Sequence, residues 1–90
     1  MDYVEKLMAD NIDVQTVRSN RDIVLRRLYD VRTQAERFDM LSLGGVLGFP
    51  NQKVTFDVMY YLKIKNLIEW HYSLVWITTE GIDYVENNLF

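Results

Sequence analysis

Gln52, Lys53, Thr55, Phe56, Tyr60 and Lys63 have the side-chain types that read a nucleic acid, and they recur within one short run. Gln and Lys donate to base edges, Thr or Phe can touch a thymine methyl, and Tyr can reach a phosphate. On a helix with Val54, Val58, Met59 and Leu62 turned inward, the outward set is Gln52, Lys53, Phe56, Asp57, Tyr60 and Lys63. Thr55 and Tyr61 then lie between the two faces. Asp57 opposes phosphate, so this face is mixed. Arg21, in the expected first turn of another helix, is a further candidate for a phosphate contact.

Other chemistries find little support. The chain has no cysteine, which excludes disulfides and thiolate metal sites. His71 is the single histidine and has no second ligand type beside it, so no metal site is expected. No Ser or Cys stands at a plausible spacing from a His, and no carboxylate pair falls in an expected cleft. Gly44-Gly45-Val46-Leu47-Gly48 lacks the Lys-Ser/Thr ending of a phosphate-binding loop. The expectation is a non-enzyme without a cofactor.

Net charge is −3 and the pI is about 5.0. That opposes strong nucleic-acid binding, which phosphate contacts dominate. The distribution is uneven, however. Residues 20–38 hold Arg21, Arg26, Arg27, Arg32 and Arg37 against Asp22, Asp30 and Glu36. Residues 67–90 hold Glu69, Glu80, Asp83 and Glu86 and no Lys or Arg. The middle is basic and both ends are acidic. No apolar run approaches the roughly 20 residues of a membrane span, and the acidic start, MDYVEKLMAD, is unlike a signal peptide. A cytoplasmic protein is the expectation.

The elements that must position these residues follow from periodicity and punctuation. Ninety residues fit one domain, 1–90. Residues 1–18 read as an N-terminal helical extension, 20–78 as a core and hairpin, and 79–90 as a C-terminal helix. Tyr3, Val4, Leu7 and Met8 share one face of the first segment. Ser19-Asn20-Arg21-Asp22 signals the start of a helix over about 20–36, with Val24, Leu28, Val31 and Ala35 inward. Its arginines are expected on a solvated face, paired with Asp22, Asp30 and Glu36. Met40-Leu41 can form a very short strand, and Ser42 can cap a helix through Leu47. Gly44 and Gly45 weaken that helix. Gly48 suits a left-handed terminus, Pro50 stands near the start of a third helix over about 51–65, and Asn66 suits its left-handed cap. The period then becomes two. A hairpin turning at Tyr72-Ser73 pairs Ile68 with Ile77 and Trp70 with Val75 on the core side. Glu69 with Trp76 and His71 with Leu74 fall on the outer side. Thr78 or Thr79 caps a last helix, with Ile82, Val85 and Leu89 inward.

Three stretches together resemble the winged-helix superfamily of helix-turn-helix domains, of the kind found in small bacterial and archaeal MarR and PadR regulators. LSLGGVLGFP is similar to the second helix and its turn. VTFDVMYYLKIKNLIEW is similar to a recognition helix running into a wing strand. WITTEGIDYVE is similar to the second wing strand entering the last helix, where such regulators often carry Leu-Thr-x-x-Gly. The resemblance covers residues 20–88. It implies an α+β, mostly helical fold with a three-helix core and a β-hairpin wing, plus extra N- and C-terminal helices. It also implies a homodimeric prokaryotic transcription regulator with helix 51–65 in the major groove of double-stranded DNA. Asn66 stands where the family usually has Gly, and the wing tip His71-Tyr72-Ser73-Leu74 lacks the usual Lys or Arg. Trp76, on the outer face, needs cover from the N-terminal helix, a partner or a ligand. Tyr3, Val4, Leu7, Met8 and Trp76 are therefore the expected dimer or partner surface. The competing expectation is a winged-helix protein–protein module without DNA binding.

Overall fold

A computed structural model describes residues 14–34 and 37–90. Within them the chain is α+β and mostly helical, with four helices and a small three-stranded antiparallel sheet. The elements are α1 (Val14–Asp30), β1 (Phe38–Asp39), α2 (Met40–Val46), α3 (Gln52–Ile64), β2 (Ile68–His71), β3 (Leu74–Ile77) and α4 (Thr79–Asn88). The helical reading of 1–18 before Val14, and the placement of Ala35, lie outside the described residues.

Helix α1 differs from expectation at both ends. It runs unbroken through Ser19-Asn20-Arg21-Asp22. The capping signal there loses to an apolar stripe that extends further back, through Val17, Val24 and Leu28. The helix then stops at Asp30, short of the expected 36. Arg32 donates from Nη1 to the Tyr29 carbonyl at 2.7 Å and stacks 3.7 Å from the Tyr29 ring centroid. A cationic side chain on a terminal carbonyl is a helix-ending device. Tyr29 in turn donates its hydroxyl to Glu86 Oε2 at 2.8 Å, which ties α1 to α4.

The short strand is Phe38–Asp39 rather than Met40-Leu41. Phe38 pairs with Val75 and Asp39 with Leu74. Asp39, not Ser42, caps α2, since its carboxylate accepts from the Ser42 N–H at 3.0 Å. A carboxylate oxygen reaching the third helical N–H is the stronger use of this spacing. That bond holds the Asp39 carboxyl below its ordinary value, with a further contribution from the Ser73 hydroxyl.

Helices α2 and α3 end with the same device built from different residues. After α2, Phe49 N–H bonds Gly44 O at 2.9 Å and Gly48 N–H bonds Gly45 O at 3.1 Å. After α3, Leu67 N–H bonds Leu62 O at 2.9 Å and Asn66 N–H bonds Lys63 O at 2.9 Å. Both are Schellman closures around a left-handed residue, Gly48 at φ +84° and Asn66 at φ +62°. Between them Asn51 caps α3 by accepting from Val54 N–H. The Gly-Phe-Pro-Asn segment is therefore a fully punctuated turn between two helices.

The hairpin has the expected register, with Ile68 opposite Ile77, Glu69 opposite Trp76, Trp70 opposite Val75 and His71 opposite Leu74. Tyr72 takes φ +56° at the turn. Strand β3 is central, in the order β1-β3-β2. Thr78 caps α4 by accepting from Gly81 N–H at 3.0 Å. The core gathers Val24, Leu25 and Leu28 of α1, Leu43 of α2, and Val58, Met59 and Leu62 of α3. Ile68, Val75 and Val85 close it from the sheet and α4.

Candidate nucleic-acid interface

The inward stripe of α3 is buried as its spacing requires, with Val54, Val58, Met59 and Leu62 each 5% exposed or less. This fixes the outward face. Gln52, Lys53 and Asp57 are exposed, and Phe56 and Tyr60 are 50% and 62% exposed. Ile64, outside the expected outward set, continues the same line at 61% exposure. Phe56, Tyr60 and Ile64 follow at intervals of four, so they form one bare stripe along the helix.

Thr55 does not belong to this face. It is 3% exposed, and its hydroxyl donates to the Asn51 carbonyl at 3.4 Å. Gly44 packs against it so closely that a Cβ there would lie 2.1 Å from Thr55 Oγ1. Thr55 is the floor on which α2 crosses α3 and cannot reach a base. Sequence spacing left it between the faces, and the missing side chain of Gly44 is what draws it inward.

Lys63 is also changed in meaning. Its ammonium forms a charge-assisted hydrogen bond with Glu69 on β2 and lies 5.1 Å from the Trp70 ring centroid. Lys63 holds the Glu69 carboxyl below its ordinary value, with help from the Trp70 N–H. A lysine so engaged offers less charge to a phosphate than its sequence position suggests. The signal was present, since Lys63 ends α3 and Glu69 falls on the outer face of the strand that follows. Lys53 has no ion pair with any described residue and is the free cation of this face.

Arg21 sits in the middle of α1 rather than in its first turn. Its guanidinium stacks 3.4 Å from the Tyr61 ring centroid. Tyr61 is eight residues beyond Lys53, about 12 Å along the axis of α3. Arg21 therefore belongs to the opposite end of α3 from Gln52 and Lys53.

The expected arginine pairs with Asp22 and Asp30 are absent among the described residues. The arginines stack on aromatic rings instead, as Arg21 on Tyr61, Arg32 on Tyr29 and Arg37 on Trp76. Planar guanidinium favours such faces. This also answers the question of cover for Trp76. The Arg37 guanidinium lies 3.8 Å from its ring centroid and Trp76 is only half-buried, so part of its cover comes from within the chain. Tyr3, Val4, Leu7 and Met8, the rest of the expected partner surface, lie outside the described residues.

The hairpin tip carries His71 and Tyr72, whose rings meet edge-on at 4.5 Å, with Tyr72 90% exposed. It presents aromatic surface and no cation. Among the described residues, no group of three or more His, Cys, Asp or Glu side chains could hold a metal ion. Among the same residues, no helix is long and apolar enough to cross a membrane. Comparison with protein-family models, curated proteins and solved structures returned no match for this chain.

Proposed function

We propose that the chain is a winged-helix protein that binds duplex DNA, and that it acts as a homodimeric, cytoplasmic transcription regulator. The order of helix, short strand, helix, turn, helix and hairpin supports the winged-helix reading. So does the place of β1 on the far side of β3 from β2. One observation carries the DNA reading: the first two and a half turns of α3 present Gln52, Lys53, Phe56 and Tyr60 openly, at the end of the helix that a major groove would admit. In that mode Gln52 and Lys53 meet base edges or phosphates, Phe56 meets a thymine methyl, and Tyr60 meets the backbone. A dimer would set two such helices about 34 Å apart, one turn of DNA.

The test is fluorescence anisotropy with a labelled duplex at low salt, repeated across salt concentrations. Lys53→Ala should reduce the log–log salt slope by about 0.9. Lys63→Ala should change it far less, because Glu69 already engages that lysine. Glu69→Gln should steepen the slope by releasing it. No binding at low salt, or identical slopes for all four proteins, sinks the DNA reading.

A second reading has its own support. Phe56, Tyr60 and Ile64 are bare, Asp57 lies among them and Lys63 is engaged, so the face is nearly neutral and apolar. That suits a protein partner's groove, which takes a helix by anchors at such spacing. Under this reading DNA does not bind, and Phe56→Ala with Tyr60→Ala abolishes capture of the partner without altering the fold.

A further inference from the structure

An open cleft of about 510 Å³ lies between α1, the C-terminal end of α3 and α4. That volume is in the range of small-molecule sites. Its rim is basic. Arg18 and Arg21 lie on one face of α1, three residues apart, and Lys65 follows the end of α3. Asp22 is the one carboxylate lining it among the described residues. None of these four makes an ion pair with a described residue. Arg21 is held by its stack on Tyr61, and its Nε is buried with no acceptor among the described residues. The floor is apolar, made by Leu25, Leu62 and Leu67, and Tyr84 of α4 forms a wall.

We propose that this cleft binds a small phosphate monoester with an apolar body. Among the described residues, three cations facing one carboxylate leave two positive charges uncompensated. A phosphate monoester near neutral pH carries about that charge with opposite sign, and its oxygens accept from the N–H groups of Arg18, Arg21 and Lys65 that face the cleft. The leucine floor takes the apolar body, and Tyr84 closes over it. The site is separate from the outward face of α3, so it stands whether or not that face binds DNA.

The test is an amide chemical-shift titration of the full chain with phenyl phosphate, with phenol and inorganic phosphate as the two half-ligands. Saturable shifts are expected around Arg18, Arg21, Tyr61, Lys65 and Tyr84, with phenyl phosphate tighter than either half. Arg18→Ala with Lys65→Ala replaces two exposed side chains and should leave the fold intact. It should weaken phenyl phosphate at least about tenfold, the scale of one lost charge-assisted hydrogen bond. Arg21→Lys keeps the charge but loses the fork and should weaken binding as well. Shifts that do not saturate, equal response to phenol, or unchanged affinity in these variants would overturn the proposal. So would displacement of phenyl phosphate by a duplex oligonucleotide, because that result assigns the cations to nucleic-acid backbone instead.

Discussion

Replacing Gly44 and Gly45 separately by alanine should give opposite results from neighbouring positions in one helix. Both glycines lie inside α2, so both changes remove the same backbone-entropy penalty, about 0.5–1 kcal/mol. Around Gly45 a new Cβ meets nothing within 4 Å, so Gly45→Ala keeps that gain. At Gly44 the new Cβ would lie 2.1 Å from Thr55 Oγ1, 2.7 Å from its Cγ2 and 3.0 Å from its Cβ. Ordinary carbon contacts begin near about 3.5 Å, so α2 and α3 must separate by an ångström or more. Overpacking of this kind costs roughly 1–3 kcal/mol or more, which exceeds the helical gain. For a domain of this size each kcal/mol moves Tm by about 4–8 °C. Gly45→Ala should therefore raise Tm by a few degrees, and Gly44→Ala should lower it by several. Thermal and urea unfolding followed by circular dichroism measure both. Adding Thr55→Ala removes the two nearest atoms, so the Gly44→Ala/Thr55→Ala pair should be more stable than the two single effects summed. If Gly44→Ala is as stable as Gly45→Ala, or if the double-mutant cycle shows no coupling, the tight crossing is wrong.

Three further outcomes follow from the same geometry. Gly81→Ala should be strongly destabilising in urea melts, because its Cβ would lie 2.0 Å from the Leu67 carbonyl oxygen, a backbone atom that cannot turn aside. Thr78→Val should cost about 1–2 kcal/mol by the same measurement, since it loses both the cap to Gly81 N–H and a 2.6 Å hydrogen bond to the Asn66 carbonyl; a change within error would remove that corner's importance. Asp39 is held below its ordinary 3.8 by the Ser42 N–H, and Glu69 below 4.5 by Lys63, so folding favours both carboxylates. Their stabilisation is present above those ordinary values and is lost as pH falls through the lowered ones. Asp39→Asn and Glu69→Gln should each flatten the stability–pH curve below about pH 4, and an unchanged acid limb would show that these bonds do not matter.

Local chemistry made the helix-turn-helix and hairpin legible. The left-handed turns at Gly48 and Asn66 and the Thr78 cap on Gly81 act through local backbone, so they are legible without tertiary information. The hairpin register follows from alternation, because a one-residue slip of β3 would turn Val75 and Ile77 to solvent. What the sequence hid depends on distant partners. The end of α1 is set by an arginine folding back on Tyr29, a choice that competes with an equally plausible helical ion pair. Thr55 looked like a face residue because helical spacing alone does not reveal that Gly44 stands opposite. The Lys63–Glu69 pair lies between these cases, since alternation puts Glu69 on the outer strand face but does not say how close the turn brings it to Lys63.

The two ends of α3 are held very differently, and this bears on how its outward face could work. At its C-terminal end the Schellman closure at Asn66 is clamped from outside. Thr78 donates its hydroxyl to Asn66 O and its N–H to Leu67 O at 3.1 Å, and Lys63 meets Glu69. These contacts bind the helix to the base of the hairpin, so hairpin and helix end should move as one piece. At the N-terminal end α3 is held by the Asn51 cap, the buried Val54 and Val58 side chains, the Thr55 bonds to Asn51 O, and the tight approach of Gly44 to Thr55. Gly44 is the tightest point of that packing, so the height and tilt of Gln52, Lys53 and Phe56 are sensitive to its size. A Gly44→Ala protein that still folds should keep its Asn66–Thr78 corner while displacing the reading face. It should lose affinity for whatever α3 binds by more than its loss of stability explains. Amide shifts confined to residues near the N-terminal turns of α3, with the corner unchanged, would support this division. Equal shifts at both ends would show that α3 responds as a rigid rod.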